Sequence, residues 1–305
     1  MTNKIIVSTV VRGARRGESH GGLYVVDVQS NKVQQTLDWK KADISWEGRG
    51  GDRGLRGIAV GGDRIYVAAS DELLVFTSKF ERVGSFRNRY LKRCHEVCLH
   101  RGLLFLTSTS FDSLLVFDTK SHQFVAGLNL RRGPSGFRAM TFDPNLEGGP
   151  KPVITLHLNS VYADDDGIYL AGRSLNALVR VLDNEVSSVA RLPLNTHNAR
   201  PFSRGLLFND TAEDQLCWVG DSDVVAFDLP RFEVKKLTHT DFDDPALARQ
   251  GFGRGLCLVS DSIVAGGSSP STISLYDLDR RERVKSINLT MDVRNTVHGM
   301  AVWPF

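Results

Sequence analysis

The sequence predicts an all-β fold, a six-bladed β-propeller, and three observations carry that prediction. Six short segments share one pattern of alternating apolar residues closed by a turn residue. A fixed spacing links the strands of most units. The two ends of the chain are incomplete in complementary ways. Four meandering strands per unit make a propeller blade. The 305 residues divide into six units of about 51, close to the roughly 40–50 residues of propeller repeats.

The repeated segments are Gly22–Asp27, Glu72–Thr77, Ser113–Asp118, Ala177–Leu182, 223–228 and Thr272–Asp277. Each leads through a polar turn into another strand, such as Lys32–Asp38 or 283–289, and so reads as a hairpin. A further strand pair precedes the hairpin: 56–60 with Arg64–Ala68, 95–99 with 103–107, 159–163 with 167–171, and 254–258 with 262–266. In these four units the polar residue that opens the first strand stands ten positions before the middle of the second: Arg56 to Tyr66, His95 to Phe105, Asn159 to Tyr169, Arg254 to Val264. A fifth unit is read as opening at Arg204. There the offset is thirteen, to Cys217, with 210–214 taken as a longer turn.

The chain finishes on His298-Gly-Met-Ala-Val, which matches the opener Arg254-Gly-Leu-Cys-Leu but has no second strand after it. The N-terminal strand at 4–10 and the hairpin at 22–38 have the reverse defect and lack an opener. Joining the two lets the C-terminal strand, at about 298–305, complete the N-terminal blade. Closure removes two exposed sheet edges. The whole chain, 1–305, is then one domain. Two long connections stand out, at 39–55 and 131–155. Connections of that length are usually functional.

Bulk composition narrows the function. Charged residues make up 24% and hydrophobic ones 41%, a soluble globular balance. No apolar run approaches the roughly 20 residues that span a bilayer, so no membrane association is expected. The apolar stretch near the N-terminus runs straight into Arg12, Arg15 and Arg16 without a small-residue cleavage site, and reads as a strand instead of a leader. With 38 basic and 35 acidic residues, the charge is too even for a nucleic-acid partner. Cys94 and Cys98 lie four apart on one predicted strand, about 13 Å at roughly 3.3 Å per residue, too far to bridge. No zinc-type cysteine spacing occurs. Free thiols in a reducing, cytoplasmic compartment follow.

The first strand of each blade lines the central channel, so the openers form a ring: His298, Arg56, His95, Asn159, Arg204 and Arg254. Small residues follow most of them (Gly57, Ser160, Gly205, Gly255, Gly299), with Glu96 the exception. Two places after the opener stand Ile58, Val97, Val161, Leu206, Leu256 and Met300, expected to pack between blades. Converging guanidiniums repel one another unless an anion lies among them. The ring therefore predicts a small anionic ligand held by Arg56, Arg204 and Arg254 with Asn159. His95 or His298 would serve as acid or base near neutral pH, with Glu96 assisting. The reaction classes this suits are hydrolysis, elimination and isomerisation. His95, His157, His197 and His298 also make a candidate metal set, because neutral imidazoles ligate Zn, Fe and Cu. A divalent metal ion is the one cofactor the residues suggest. No serine nucleophile elbow and no phosphate-binding loop is present. The alternative is a non-catalytic interaction propeller whose protein partner docks on loops 39–55 and 131–155, with Trp39, Trp46, Phe137 and Phe142 as contacts.

Strand pattern and unit count make the chain resemble six-bladed propellers at superfamily level, the NHL-like, lactonase-like and strictosidine-synthase-like proteins, over nearly its whole length. The lactonase-like resemblance implies a divalent ion held by acidic and amide side chains. Here only Glu96, Asn159 and Asn198 offer that chemistry, in a ring that is otherwise basic.

Overall fold

The computed structural model describes residues 4–40, 54–183, 185–241 and 247–305. Its strands form six antiparallel sheets arranged as the blades of a ring. The inner strands, in ring order, are Asn295–Val302, Ile58–Gly61, Val97–His100, Leu158–Asp164, Thr196–Phe202 and Gly251–Leu258. Blade one is composite. Asn295–Val302 pairs with Lys4–Val11, which pairs in turn with Gly22–Asp27 and Lys32–Asp38.

The burial pattern follows from blade-on-blade packing. The second strands are covered on both faces, so Lys4–Val11 is buried from Ile5 onward and Arg64–Ala68 from Ile65 onward. Strands covered on both faces read as continuous apolar runs. The outermost strands, such as Lys32–Asp38 and Arg82–Arg87, face water and are polar. Hydrophobic clusters lie between neighbouring blades; Leu73 and Tyr66 of blade two, for example, share one with Leu104 and Phe117 of blade three. Closure is tight. Ile5 pairs with Val302 and Val7 with Met300. The Trp303 amide donates to the Lys4 carbonyl at 2.9 Å, and its ring stacks on Phe80 of blade two at 5.2 Å.

Two expectations need correcting. The stretch at 131–155 is not simply a connection. Gln123–Gly133 turns back through Gly136, at φ +133°, into Gly136–Phe142, which adds a fifth strand to blade three. Its aromatics pack locally: Phe137 under Arg132 at 4.9 Å, and Phe142 against Tyr90 at 5.0 Å. Trp39 is buried between blades one and two. Trp46 and most of the 39–55 connection lie outside the described residues.

The second correction concerns blade five. Its inner strand starts at Thr196, not near Arg204. Ser203 and Arg204, at φ +45° and +56°, are the two central residues of the hairpin turn into Gly205–Asp210. Two consecutive left-handed residues are what a two-residue hairpin requires. The true opener is His197, ten positions before Leu207, so the spacing rule of the other units holds here too. Among the described residues, no helix is long and apolar enough to cross a membrane.

Candidate functional site

At the end of the channel where the inner strands begin, a cavity of about 450 Å³ is lined by Arg12, Arg56, Arg173, Arg249, Arg254 and four histidines. His298, Arg56, His95 and Arg254 are brought here by the repeat position itself. His197 holds that same position in blade five, and His157 stands just ahead of it in blade four. The backbone leaves the regular pleat to make this mouth: His157, Asn198 and Phe252 are left-handed at φ +52°, +53° and +49°. Such residues cost about 1–3 kcal/mol each and gather at functional sites. Gly255, at φ +69°, is held the same way; a Cβ there would meet Met300 Cγ at 3.2 Å.

His95 is the hub of the histidines. Its ring centroid lies 5.4 Å from His298, 5.7 Å from His157 and 6.3 Å from His197. The Nδ1 atoms of His95 and His298 are sealed from solvent and meet no hydrogen-bond partner among the described residues. His197 Nδ1 donates to the Asn195 carbonyl at 2.9 Å, which leaves Nε2 as its basic nitrogen. Burial, then the neighbouring Arg56 or Arg254, push His95, His197 and His298 well below the ordinary imidazole range. Burial and Arg173 bring His157 down to about 4. All four are therefore neutral at pH 7.

Arg254 is buried, and burial followed by Arg12, Arg56 and Arg173 hold it below the usual guanidinium range. Its Nη1 donates to Thr211 Oγ1 at 2.6 Å and to the Gly253 carbonyl at 2.8 Å, both uncharged acceptors. Arg249 differs, because it is paired with Asp214, which also takes Arg231 at 3.0 Å and the Phe252 amide at 3.0 Å. The Phe252 ring is flanked by the guanidiniums of Arg12 at 4.0 Å and Arg249 at 4.4 Å. No acidic side chain lines the cavity among the described residues.

Three sequence-predicted site residues lie elsewhere. Asn159 turns away from the lumen and ties blades four and five, its Nδ2 donating to the Thr196 carbonyl at 3.2 Å. Arg204 is exposed in the hairpin turn described above. Glu96 lines the other end of the channel. Its carboxylate accepts from the Val161 amide at 3.0 Å and Asn198 Nδ2 at 2.7 Å, and from no imidazole. Burial pushes it up to about 7. Conversely, Arg12, Arg173, Arg249 and Phe252 went unrecognised. The first three lie in connections outside the repeat position, and Arg12 sits in a cluster that reads as solvated loop charge. Phe252 is two residues before an opener, where the other units set no pattern.

The four imidazoles have the donor chemistry of a transition-metal site. Yet no group of three or more His, Cys, Asp or Glu side chains is arranged to hold an ion among the described residues, and the surrounding guanidiniums oppose a dication. The residues do not fit a resident metal ion.

No protein-family model and no curated protein matches the sequence. Among solved structures, the chain is similar to a protein of unknown function from Bacteroides caccae, at 7% identity over 97% of each chain with a TM-score of 0.56. It is also similar to apo AztD from Citrobacter koseri, at 9% identity over 94% of this chain and 81% of that one, with a TM-score of 0.50. At these identities the likeness is one of fold: the chain is a six-bladed β-propeller.

Proposed function

We propose that the histidine–arginine mouth binds a small anionic molecule and that the protein acts on it as an enzyme, by hydrolysis, elimination or isomerisation. One observation carries this: Arg254 is a buried guanidinium whose hydrogen bonds go to neutral oxygens, in a cavity whose described lining contains five arginines and no acid. Burying an unpaired charge is costly, and an anion held by charge-assisted bonds is the partner that removes the cost. His95 or His298 takes a proton in the reaction. Each is neutral at pH 7 and can accept one, and a developing imidazolium would be stabilised by the bound anion.

The test uses phosphate and citrate as probes with wild type and Arg254→Met, which keeps an apolar stem of similar length. An anion at a hundred times its Kd stabilises by about 2.7 kcal/mol. Wild type should melt higher with either probe, and the variant should melt at or above wild type without probe and lose the response. A variant that melts much lower without any anion would show Arg254 to be structural. A stoichiometric transition metal in the purified protein would replace this reading with metal chemistry.

A further inference from the structure

In five blades the residue three places after the opener is uncharged: Ala59, Cys98, Tyr162, Cys257 and Ala301. In blade five, with His197 as opener, that residue is Arg200, paired with Leu207 where Ala59 pairs with Tyr66 and Cys98 with Phe105. A position without charge in the other blades thus holds a guanidinium. Its Nε and Nη2 are sealed from solvent with no hydrogen-bond partner among the described residues, and burial holds it below its ordinary range. The charge faces the Tyr162 ring at 5.6 Å.

Arg200 lines a second cavity, of about 300 Å³, toward the end of the channel where the inner strands end; His298 lines both cavities. The Arg200 counterparts Ala59, Cys98, Tyr162, Cys257 and Ala301 line this second cavity too, with the ring of apolar residues that precede them in each strand. One acid shares the cavity, Glu96; it attracts the Arg200 guanidinium, but its hydrogen bonds go to Val161 and Asn198. A guanidinium whose Nε and Nη2 are sealed from solvent without a hydrogen-bonded carboxylate is costly, and an apolar residue of similar volume would avoid that cost. Paired with one carboxylate, the same group becomes a strong, directional anchor.

We propose that this second cavity binds a monocarboxylate with an apolar body, its carboxylate paired with Arg200 and its tail packed against the apolar ring. A second anionic group on the ligand would meet the Glu96 carboxyl, so one charge is the complement. The site shares His298 with the histidine–arginine mouth but does not rest on the reading given to that mouth.

The experiment measures binding of acetate, hexanoate, octanoate and octanol by calorimetry and by melting temperature. Wild type should bind octanoate at least tenfold more tightly than acetate, and octanol at least tenfold more weakly than octanoate. Arg200→Leu leaves an apolar side chain and removes the charge, which is absent at this position in the other five blades. It should melt higher than wild type in the absence of carboxylate and bind octanoate at least tenfold more weakly. Arg200→Lys keeps the charge without the forked geometry, should also lose binding, and serves if the leucine variant fails to fold. Arg254→Met should bind octanoate as wild type does. No measurable octanoate binding, equal binding of octanol, or unchanged octanoate affinity in the Arg200 variants would each overturn the proposal. A leucine variant that melts below wild type would make Arg200 a structural tie, with the same result.

Discussion

Acidification from pH 7.5 to 5.0 should remove several kcal/mol of stability, and the four mouth histidines set the size of the loss. Each is held neutral in the fold, with its pKa below the ordinary value of 6.5, while the unfolded chain takes up a proton as the pH falls through that value. The unfolded state then binds more protons than the native one, so stability rises with pH across this window. A histidine that stays neutral in the fold throughout contributes about 2 kcal/mol between these two pH values, and four contribute about 8. Glu96 works in the opposite direction. With its pKa pushed up to about 7, it keeps a proton in the fold that the unfolded chain gives up. Acidification over the same window therefore returns about 2 kcal/mol through that one group. The net loss is about 6 kcal/mol at most, and the partial exposure of His95 and Glu96 reduces it to about 3–6. Against a typical domain stability of about 5–15 kcal/mol, that loss is large. Urea unfolding at pH 5.0, 6.0, 7.0 and 7.5 measures it, in buffers free of multivalent anions, which would favour the protonated imidazoles. His298→Gln should reduce the pH slope by about one histidine's share. Stability that is flat or rises on acidification would refute the neutral-histidine argument.

Three further outcomes are expected. Deleting residues 297–305 removes buried Val297, Met300 and Trp303 from the ring closure, at about 1.5–3 kcal/mol each before the exposed edges are counted; a cooperative melt at the wild-type temperature would contradict closure. The four cysteines are free, and burial pushes Cys94, Cys217 and Cys257 up to about 12 and Cys98 to about 11. A thiol reagent at pH 8 should therefore label none of them in native protein and all four after denaturation without reductant. Gly255→Ala places a Cβ on a left-handed residue against Met300 and the His298 carbonyl, and should lower stability by about 1–3 kcal/mol, read as a shift in the urea midpoint; an unchanged midpoint would show that the mouth backbone is not constrained there.

The architecture was legible because blade packing writes itself into sequence. Glu72–Thr77, Ser113–Asp118 and Thr272–Asp277 occupy the strands their alternation predicts. The composite blade followed from two defects that fit each other. Blade five was misread because Arg204-Gly-Leu imitates Arg254-Gly-Leu, and a local likeness outweighed the spacing. The ten-residue offset leads from Leu207 back to His197, and three places on to Arg200. The mouth was only half legible. Inner-strand residues recur at one position and can be aligned, whereas Arg12, Arg173 and Arg249 reach the cavity from irregular connections, and only the folded ring shows that these meet. The fifth strand of blade three was hidden because its turn, Gly133-Pro-Ser-Gly136, reads equally well as the start of a loop.

The pairing of Asn295–Val302 with Lys4–Val11 also has a consequence for how the molecule is made. The strand that lines the channel in blade one is synthesised after every other strand of the ring. Until it emerges, the nascent protein carries an unsealed seam between its first and last blades, with an unpaired strand at Lys4–Val11 and apolar flanks open to the cell. Domains generally fold as units during translation, and exposed edges invite misassembly. Ribosome pausing shortly before residue 295 should therefore lengthen the period in which chaperones must shield that seam, and synonymous codons in this last stretch would influence yield without altering a single side chain.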